Sequence, residues 1–191
     1  FATAWDYVQN DSTAPGFSGI GPDVVVGGYD DGTVKVFDLR LHEQRGVVHR
    51  RGWGRRQKEP MFTEQKDWIV DVSYTHSPSR YEIVSGSVRG DIRFWDLRMS
   101  RSIRTLEIQR SSIMTALACH PRIPLLASGS NANFIKVCTP DGDTLQVIRH
   151  HEKLQGRRLG RVSSLSFHPN KPLLAAGATD DIISIYGVTG K

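Results

Sequence analysis

Apolar and polar residues alternate in four short segments of the chain. The segments are TVKVF (33–37), DIRFW (91–95), FIKVC (134–138) and DIISIY (181–186). Alternation with a period of two is typical of a β-strand that buries one face. Tight-turn residues precede the first two segments, at Asp31-Gly32 and Arg89-Gly90, which favours a hairpin into each strand. The pattern therefore predicts a succession of short antiparallel strands.

The surroundings of these segments repeat along the chain. GYDDGTVKVFDLR (28–40) matches GSVRGDIRFWDLR (86–98) at its glycines and at its aromatic-Asp-Leu-Arg end, and weaker copies begin at Gly129 and Gly177. The residues before each copy repeat as well: TALACHPRIPLLASGS (115–130) parallels SSLSFHPNKPLLAAGA (163–178). Four copies at spacings of 43 to 58 residues indicate a repeat architecture.

The copy that ends in Trp95-Asp96 resembles the WD-repeat β-propeller, in which each blade is a four-stranded antiparallel sheet. The resemblance implies an all-β fold with about four blades of a seven-bladed propeller. We assign 1–41 to a blade with an incomplete first strand, 42–66 to a basic insertion, 67–110 and 111–152 to two blades, and 153–191 to a connector and a last blade without its fourth strand. Because such a piece would leave sheet edges unpaired, we expect it to belong to a larger polypeptide that supplies the remaining blades.

The WD-repeat resemblance also implies a buried hydrogen-bond network in each blade, built from a turn Asp, a Ser or Thr, a Trp and a His. No unit here has the complete set: the second has Ser85 and Trp95 but places Arg89 where the Asp belongs. The structural repeat positions are Asp31, Phe37, Asp38, Ser85, Trp95, Asp96, Ser128, Asp180 and Tyr186. We therefore expect apolar packing between blades to matter more than the polar network.

The net charge of +5 lies in one part of the chain. Residues 45–58 carry six basic residues and no acidic one, so the remainder is close to neutral. This segment is either a solvated loop or an electrostatic patch for an acidic protein, nucleic acid or anionic lipid, and Trp53 adds a stacking group. The candidate interaction residues are Arg50, Arg51, Arg55, Arg56 and, in a second basic run, Arg157 and Arg158. Nucleic acid is the less expected partner.

The histidines do not form a catalytic or metal-binding pattern. His120 and His168 occupy the same place in two copies of the repeat, which favours a structural role. His150 and His151 are adjacent, so on a strand they would face opposite sides and make a poor metal pair. We expect no enzymatic activity, no metal and no cofactor.

The two cysteines indicate the compartment. Cys119 and Cys138 lie at alternating strand positions without Cys-x-x-Cys spacing, so we expect buried free thiols, with a disulfide as the less favoured alternative. No run of eighteen apolar residues and no signal peptide occurs. A cytosolic or nuclear protein is therefore expected.

Longer stretches of the chain resemble one family of WD-repeat proteins, the Raptor family. The resemblance rests on DDGTVKVFDLR, DWIVDVSY, GDIRFWDLRM and MTALACHP in this order, and most specifically on QGRRLGRVSSLSFHPNKPLLAAGATDDIISIYG. The match runs over nearly the whole chain but does not follow 41–64 closely. No family function is therefore carried onto that segment.

The Raptor resemblance implies a non-catalytic scaffold subunit of target-of-rapamycin complex 1. Members of this family combine a caspase-like domain, helical repeats and a C-terminal seven-bladed propeller, and they support complex assembly, substrate recruitment and nutrient-dependent regulation of the kinase. The implied partners are subunits of the kinase complex and nutrient-sensing GTPases, and the implied location is the cytoplasm, with peripheral recruitment to the lysosomal or vacuolar membrane. Two alternatives remain: a WD-repeat scaffold of another kind, such as a chromatin or trafficking adaptor, and a nucleic-acid-binding propeller that uses 45–58.

Overall fold

The computed structural model describes residues 2–7, 24–38, 61–77, 80–96, 101–151 and 157–187. Within these ranges all regular secondary structure is β-strand. In the same ranges no helix is long and apolar enough to cross a membrane. The all-β prediction is confirmed.

In the described ranges fifteen strands form four antiparallel sheets in which sequence neighbours pair. The first sheet contains β1 (Ala2–Tyr7), β2 (Val24–Tyr29), β3 (Val34–Asp38) and β4 (Met61–Phe62). The second contains β5 (Ile69–Ser77), β6 (Arg80–Ser87), β7 (Asp91–Asp96) and β8 (Ser102–Glu107). The third contains β9 (Met114–Cys119), β10 (Leu126–Ser130), β11 (Ile135–Cys138) and β12 (Thr144–Ile148). The fourth contains β13 (Val162–Phe167), β14 (Leu173–Ala178) and β15 (Ile183–Gly187).

These sheets have the up-and-down order of propeller blades, and we call them the first to fourth blades. Each of the four alternating segments supplies the third strand of its blade, and the predicted turn residues Asp31-Gly32 and Arg89-Gly90 precede the first two of these strands. One boundary differs from the sequence assignment. The end of the segment assigned to an insertion, 42–66, contains β4, which pairs with β3 as the outer strand of the first blade. A strand of two residues is too short to show alternation.

The core consists of three clusters, and each lies between two neighbouring blades. Val34 and Val36 of the first blade pack against Ile69 and Ile83 of the second. The second blade meets the third through a cluster that includes Phe94 and Leu117, and the third meets the fourth through one that includes Ile135 and Leu174. Burying one such aliphatic or aromatic side chain stabilises the fold by about 1.5–3 kcal/mol. Each blade is therefore held by its neighbours.

The third strand of each blade turns two side chains toward the following blade. Strand pairing places Val34, Ile92, Ile135 and Ile183 opposite a glycine that is the next-to-last residue of the preceding strand. The first three are completely buried, whereas Ile183 is 79% exposed and Ile185, two positions on, is 60% exposed. The outward face of the fourth blade thus carries the side chains that the other blades bury against a neighbour.

The turn before each third strand contains one residue in the left-handed region. Its φ is 80° at Gly32, 86° at Gly90, 63° at Asn133 and 62° at Asp181. Glycine adopts this region freely, and asparagine and aspartate do so more readily than other residues. At Gly32 and Gly90 a Cβ atom would also lie 2.4 Å from the backbone oxygen of Gln65 or Gln109. The turn therefore recurs in all four blades with only two of them keeping glycine.

Candidate interaction surface

A chain of buried hydrogen bonds crosses the second blade. Trp95 is completely buried, and its indole Nε1 donates to Ser85 Oγ at 2.8 Å. Ser85 Oγ donates in turn to Gln65 Oε1 at 2.5 Å, and Gln65 Nε2 donates to Asp91 Oδ2 at 3.2 Å. The Phe62 ring stacks on Trp95 with centroids 4.7 Å apart. These hydrogen bonds connect Gln65, which follows the outer strand of the first blade, to Ser85 and Trp95 in the interior of the second.

The acidic member of this chain is not at the position that the sequence comparison gave. Arg89 does occupy the expected turn position, but it lies at the surface and pairs with Asp67, with Nε and Oδ1 2.9 Å apart. Asp91, two residues later, contacts Gln65 and accepts a hydrogen bond from the Ser87 hydroxyl. Asp91, two positions after Arg89 and at the start of the third strand, thus supplies the carboxylate that accepts from the Gln65 side-chain amide.

The third blade contains a shorter version of the same chain. Gln109 Nε2 donates to Ser128 Oγ at 2.9 Å, and both residues are buried. Cys138 stands where Trp95 stands in the second blade, so no indole donor reaches the Ser128 hydroxyl. The hydroxyl accepts from the amide instead, and the Gln109 carboxamide is turned round relative to Gln65.

The fourth blade has a histidine at the corresponding place between blades. His151 is buried, and its Nε2 lies 2.7 Å from Asp180 Oδ2 while its Nδ1 lies 2.5 Å from Ser184 Oγ. A carboxylate can only accept, so Nε2 carries the proton that is shared with Asp180. Burial acts to raise the pKa of Asp180, but the hydrogen bonds from His151 and from the Gly160 N–H outweigh it. The pKa of Asp180 therefore lies below its ordinary value.

The remaining repeat positions have local roles. Asp31 accepts from the Thr33 N–H at 2.9 Å and the Thr33 hydroxyl at 2.6 Å, and these bonds hold its pKa below the ordinary value. Phe37 is half-buried on β3, and Asp96 is buried at the end of β7. Tyr186 is buried, and its hydroxyl donates to the His150 carbonyl at 3.3 Å. The backbone of Asp38 ends β3, and its side chain lies outside the described residues.

His120 and His168 shape turns. His120 Nδ1 accepts from the Arg122 and Ile123 N–H groups at 3.1 and 3.0 Å, and its Nε2 donates to the Lys171 carbonyl at 3.1 Å. His168 Nδ1 accepts from the N–H groups two and three residues later, at 3.1 Å each. Within the described ranges no group of three or more His, Cys, Asp or Glu could hold a metal ion.

Both cysteines are free, as the sequence favoured. Cys119 is half-buried and Cys138 is buried. Burial raises the pKa of the Cys138 thiol to about 11, so it stays protonated at neutral pH. Because the thiolate is the nucleophile and the metal ligand, Cys138 is an apolar core residue in practice.

A groove of about 1060 Å³ lies along the rim formed by the turns of the second, third and fourth blades. We call it the Trp68 groove. The residues that line it are Trp68, Val70, Val88, Arg89, Arg110, Ser111, Ser112, Ile113, Met114, Thr115, Asn131, Ala132 and Arg161. Three of these are arginines, six are apolar and none is acidic, so the lining is both basic and apolar.

Backbone hydrogen bonds fix the walls of the Trp68 groove. The Trp68 carbonyl accepts from the Val88 N–H at 2.9 Å, and the Val88 carbonyl accepts from the Met114 N–H at 3.0 Å. The Ile113 carbonyl accepts from the Asn131 N–H at 3.1 Å, and Asn131 Oδ1 accepts from the Ile113 N–H at 3.0 Å. The rim segments of the second and third blades are therefore joined to one another.

The predicted interaction residues lie elsewhere. Arg50, Arg51, Arg55 and Arg56 fall in 39–60, outside the described residues, so their proposed role stays a prediction. Arg157 and Arg158 are exposed in the connection before the fourth blade, and Arg158 forms an isolated bridge with His150. Neither of the last two lines the Trp68 groove.

Two sets of residues escaped the sequence analysis, and a sequence signal was present for the first. Trp68, Ile113 and Arg161 each directly precede the first strand of a blade, and extending the repeat alignment by one residue would have found them. Gln65, Gln109 and His151 follow the outer strand of one blade but bond to residues of the next. A comparison confined to one blade at a time cannot detect these contacts.

Comparisons with known proteins agree with the fold. A family profile described as "WD domain, G-beta repeat" matches residues 142–187, from the outer strand of the third blade through the fourth. The chain is 35% identical to "Protein raptor homolog" of Dictyostelium discoideum over 86% of this chain and 10% of that protein. It is 38% identical to "Regulatory-associated protein of TOR 2" of Oryza sativa subsp. japonica over 70% of this chain and 9% of that protein. The crystal structure of Chaetomium thermophilum Raptor aligns with a TM-score of 0.66 and 27% identity, over 89% of this chain and 15% of that one. The chain thus spans about a tenth of the length of these curated relatives.

Proposed function

Because this chain belongs to the Raptor family of WD-repeat propellers, we propose that it forms part of a non-catalytic scaffold subunit of a target-of-rapamycin complex. The observation that carries the proposal is the similarity to Raptor proteins in both sequence and structure. The proposed role is to support assembly of the complex, recruitment of substrates and nutrient-dependent regulation of the kinase.

The way the polar residues are used supports a scaffold role. His120, His151 and Asp180 are engaged in hydrogen bonds that tie turns and blades together. The packing between blades is apolar and continuous from the first blade to the fourth. Such a stack is a rigid support whose exposed turns can hold partners.

We further propose that additional blades cover the outward face of the fourth blade and complete a propeller of seven. Ile183 and Ile185 are exposed at the positions that the second and third blades fill with buried or half-buried residues against a neighbour. An exposed sheet face and edge of this kind favours association with further strands. A blade of the same propeller would bury both side chains.

The proposed partners and location follow the family. The partners are subunits of the kinase complex and nutrient-sensing GTPases, and the location is the cytoplasm with peripheral recruitment to the lysosomal or vacuolar membrane. Substrate motifs are expected to bind outside these blades. The exposed rim of the described blades then serves other protein contacts.

Co-purification of the full-length protein with the target-of-rapamycin kinase tests this function. The tagged wild-type protein should retain the kinase, and the Ile183→Asp, Ile185→Asp double variant should retain less because the charges disrupt the proposed packing of the next blade. Leu145→Ala is the control, since Leu145 is 55% exposed on an outer strand. A soluble, folded wild-type protein that retains no kinase would exclude the proposal.

A further inference from the structure

We propose that the Trp68 groove docks a short acidic segment of a partner protein that carries one apolar side chain beside its carboxylates. This inference rests on the scaffold function proposed above, because it supplies a surface through which such a scaffold would hold a partner. It concerns three neighbouring blades and none of the buried polar chains.

The first support is the chemistry at one repeated position. Trp68, Ile113 and Arg161 occupy the same place in successive blades, since each carbonyl accepts from the N–H that follows the second strand of its own blade. Trp68 is 62% exposed and Ile113 is 52% exposed. Neither side chain belongs to a core cluster, so folding does not explain them. Tryptophan and arginine are the residues most enriched where protein interfaces gain their binding energy.

Charge supports an acidic ligand. Arg89, Arg110 and Arg161 line the groove without any acidic lining residue. Arg89 pairs with Asp67 and Arg110 with Glu107, but both arginine side chains are about four-fifths exposed. Exposed ion pairs of this type contribute little, so a ligand carboxylate can replace the acidic partner at low cost.

Arg161 adds a cation that is already available. It is exposed, and among the described residues no carboxylate forms a salt bridge with it. Its carbonyl accepts from the Thr179 N–H at 2.9 Å, so its backbone position is fixed by the fourth blade. A carboxylate bound there gains a partner without displacing another.

Rigidity and size favour a peptide over a membrane or a nucleic acid. Because backbone hydrogen bonds already fix the groove walls, binding a peptide costs little conformational entropy of the protein. A volume of about 1060 Å³ is at the upper end for ligand pockets, which suits several residues of an extended chain. An apolar residue among carboxylates matches a groove lined by Trp68 and Ile113 together with three arginines.

The experiment uses the full-length protein that contains this chain and a fluorescein-labelled peptide, EDELEDE, in an anisotropy titration at low salt. Two further peptides, QNQLQNQ and EDESEDE, remove the charges and the apolar side chain respectively. The protein variants are Trp68→Ala and Arg161→Ser, separately and together, with Leu145→Ala and Arg101→Ser as matched exposed controls. All four substitutions leave the backbone hydrogen bonds of the rim intact.

We expect the double variant to lose about tenfold or more in affinity for EDELEDE, and the controls to stay within about twofold. Wild-type protein should bind both altered peptides more weakly, and added salt should weaken the binding of EDELEDE. Equal binding by wild type and double variant would overturn the proposal. So would tighter binding of single-stranded DNA or of vesicles containing phosphatidylserine, if the same two substitutions abolished it.

Co-purification of the kinase separates this inference from the scaffold function. The double variant should retain the kinase as the wild type does, because the groove is not part of the proposed blade packing. Retained kinase with no peptide binding by the wild type would reject the groove alone. Peptide binding without kinase would reject the scaffold function and leave the groove as a site.

Discussion

The second and fourth blades solve the same packing problem with different residues. In the second, a Trp on the third strand donates to a Ser on the second strand, which bonds a neutral amide, Gln65. In the fourth, the second strand offers Ala176 at that place, and Ser184 on the third strand supplies the hydroxyl to His151. What the repeat preserves is therefore a polar side chain arriving from the preceding blade, and not one set of residue types.

The two arrangements differ in how they respond to substitution and to pH. The second blade combines its polar chain with a stacked Phe62–Trp95 pair in the apolar core. The fourth blade relies on an ionisable pair, His151 and Asp180, with a smaller Tyr186 in place of the indole. Apolar packing thus contributes more to the second blade, and charge contributes more to the fourth.

The largest expected effect is that of Trp95→Ala. It removes a completely buried indole and should lower the free energy of local unfolding of β5–β8 by about 3–5 kcal/mol. Native-state hydrogen exchange of these strands in the full-length protein measures it. Trp95→Phe keeps the stacking but removes the bond to Ser85, so it should cost less. A loss below about 1 kcal/mol for Trp95→Ala would contradict the buried position.

Replacing His151 tests the fourth blade in the same way. His151→Ala removes the partner of the Ser184 hydroxyl and one of the two donors to Asp180 Oδ2. It should destabilise β13–β15 by about 1–3 kcal/mol. His151→Gln should recover part of this loss, because glutamine fills the corresponding place in the second and third blades. Hydrogen exchange of β13–β15 is the measurement, and equal loss for both variants would mean that only the imidazole fits.

The fourth blade should also be sensitive to acid through Asp180. Its folded pKa lies below the ordinary value of 3.8, so its stabilisation is fully present above that pH and is lost as the pH falls through the folded pKa. Hydrogen exchange of β13–β15 between pH 5 and pH 3, on the order of one unit to either side of that value, should show declining protection. The Asp180→Asn variant should be less stable at pH 5, and the protection of its β13–β15 should change less with pH. An unchanged pH profile would remove Asp180 as the cause.

The smallest effect is expected at Glu64, which adds an outer link to the second blade. Its carboxylate accepts from the Ser102 N–H at 3.0 Å and pairs with Arg93 at 2.8 Å, and the hydrogen bond from the Ser102 hydroxyl in particular lowers its pKa. About a third of the side chain is exposed, so Glu64→Gln should cost less than about 1 kcal/mol. Urea unfolding of the full-length protein measures this loss of stability. A larger loss would mean that the contacts of Glu64 are a main connection between the first two blades.

The sequence predicted the third strands, the hairpins and the family well, because alternation and turn residues are local signals. The residue between blades was missed in every case, since Gln65 and Ser85 are 20 positions apart and His151 and Ser184 are 33 apart. The turn carboxylate was placed by alignment at Arg89, whereas geometry allows Asp91 to reach the same amide. Trp68 was missed because the repeat comparison did not extend to the residue before each first strand, and its exposure is visible only in the structure.

The separate clusters between neighbouring blades make the four blades a one-dimensional array with nearest-neighbour coupling. In such an array each unit opens at a free energy set by its own strands plus its contacts on either side. Among the described blades, the first and the fourth each pack against one neighbour and the second and third against two, so opening should cost less at the first and fourth. Any protein or blade that covers Ile183 and Ile185 would raise the opening energy of the whole array, although it contacts only the last member. Occupancy of that face thus sets how readily the second, third and fourth blades open. The Trp68 groove lies on the surface that these three blades form.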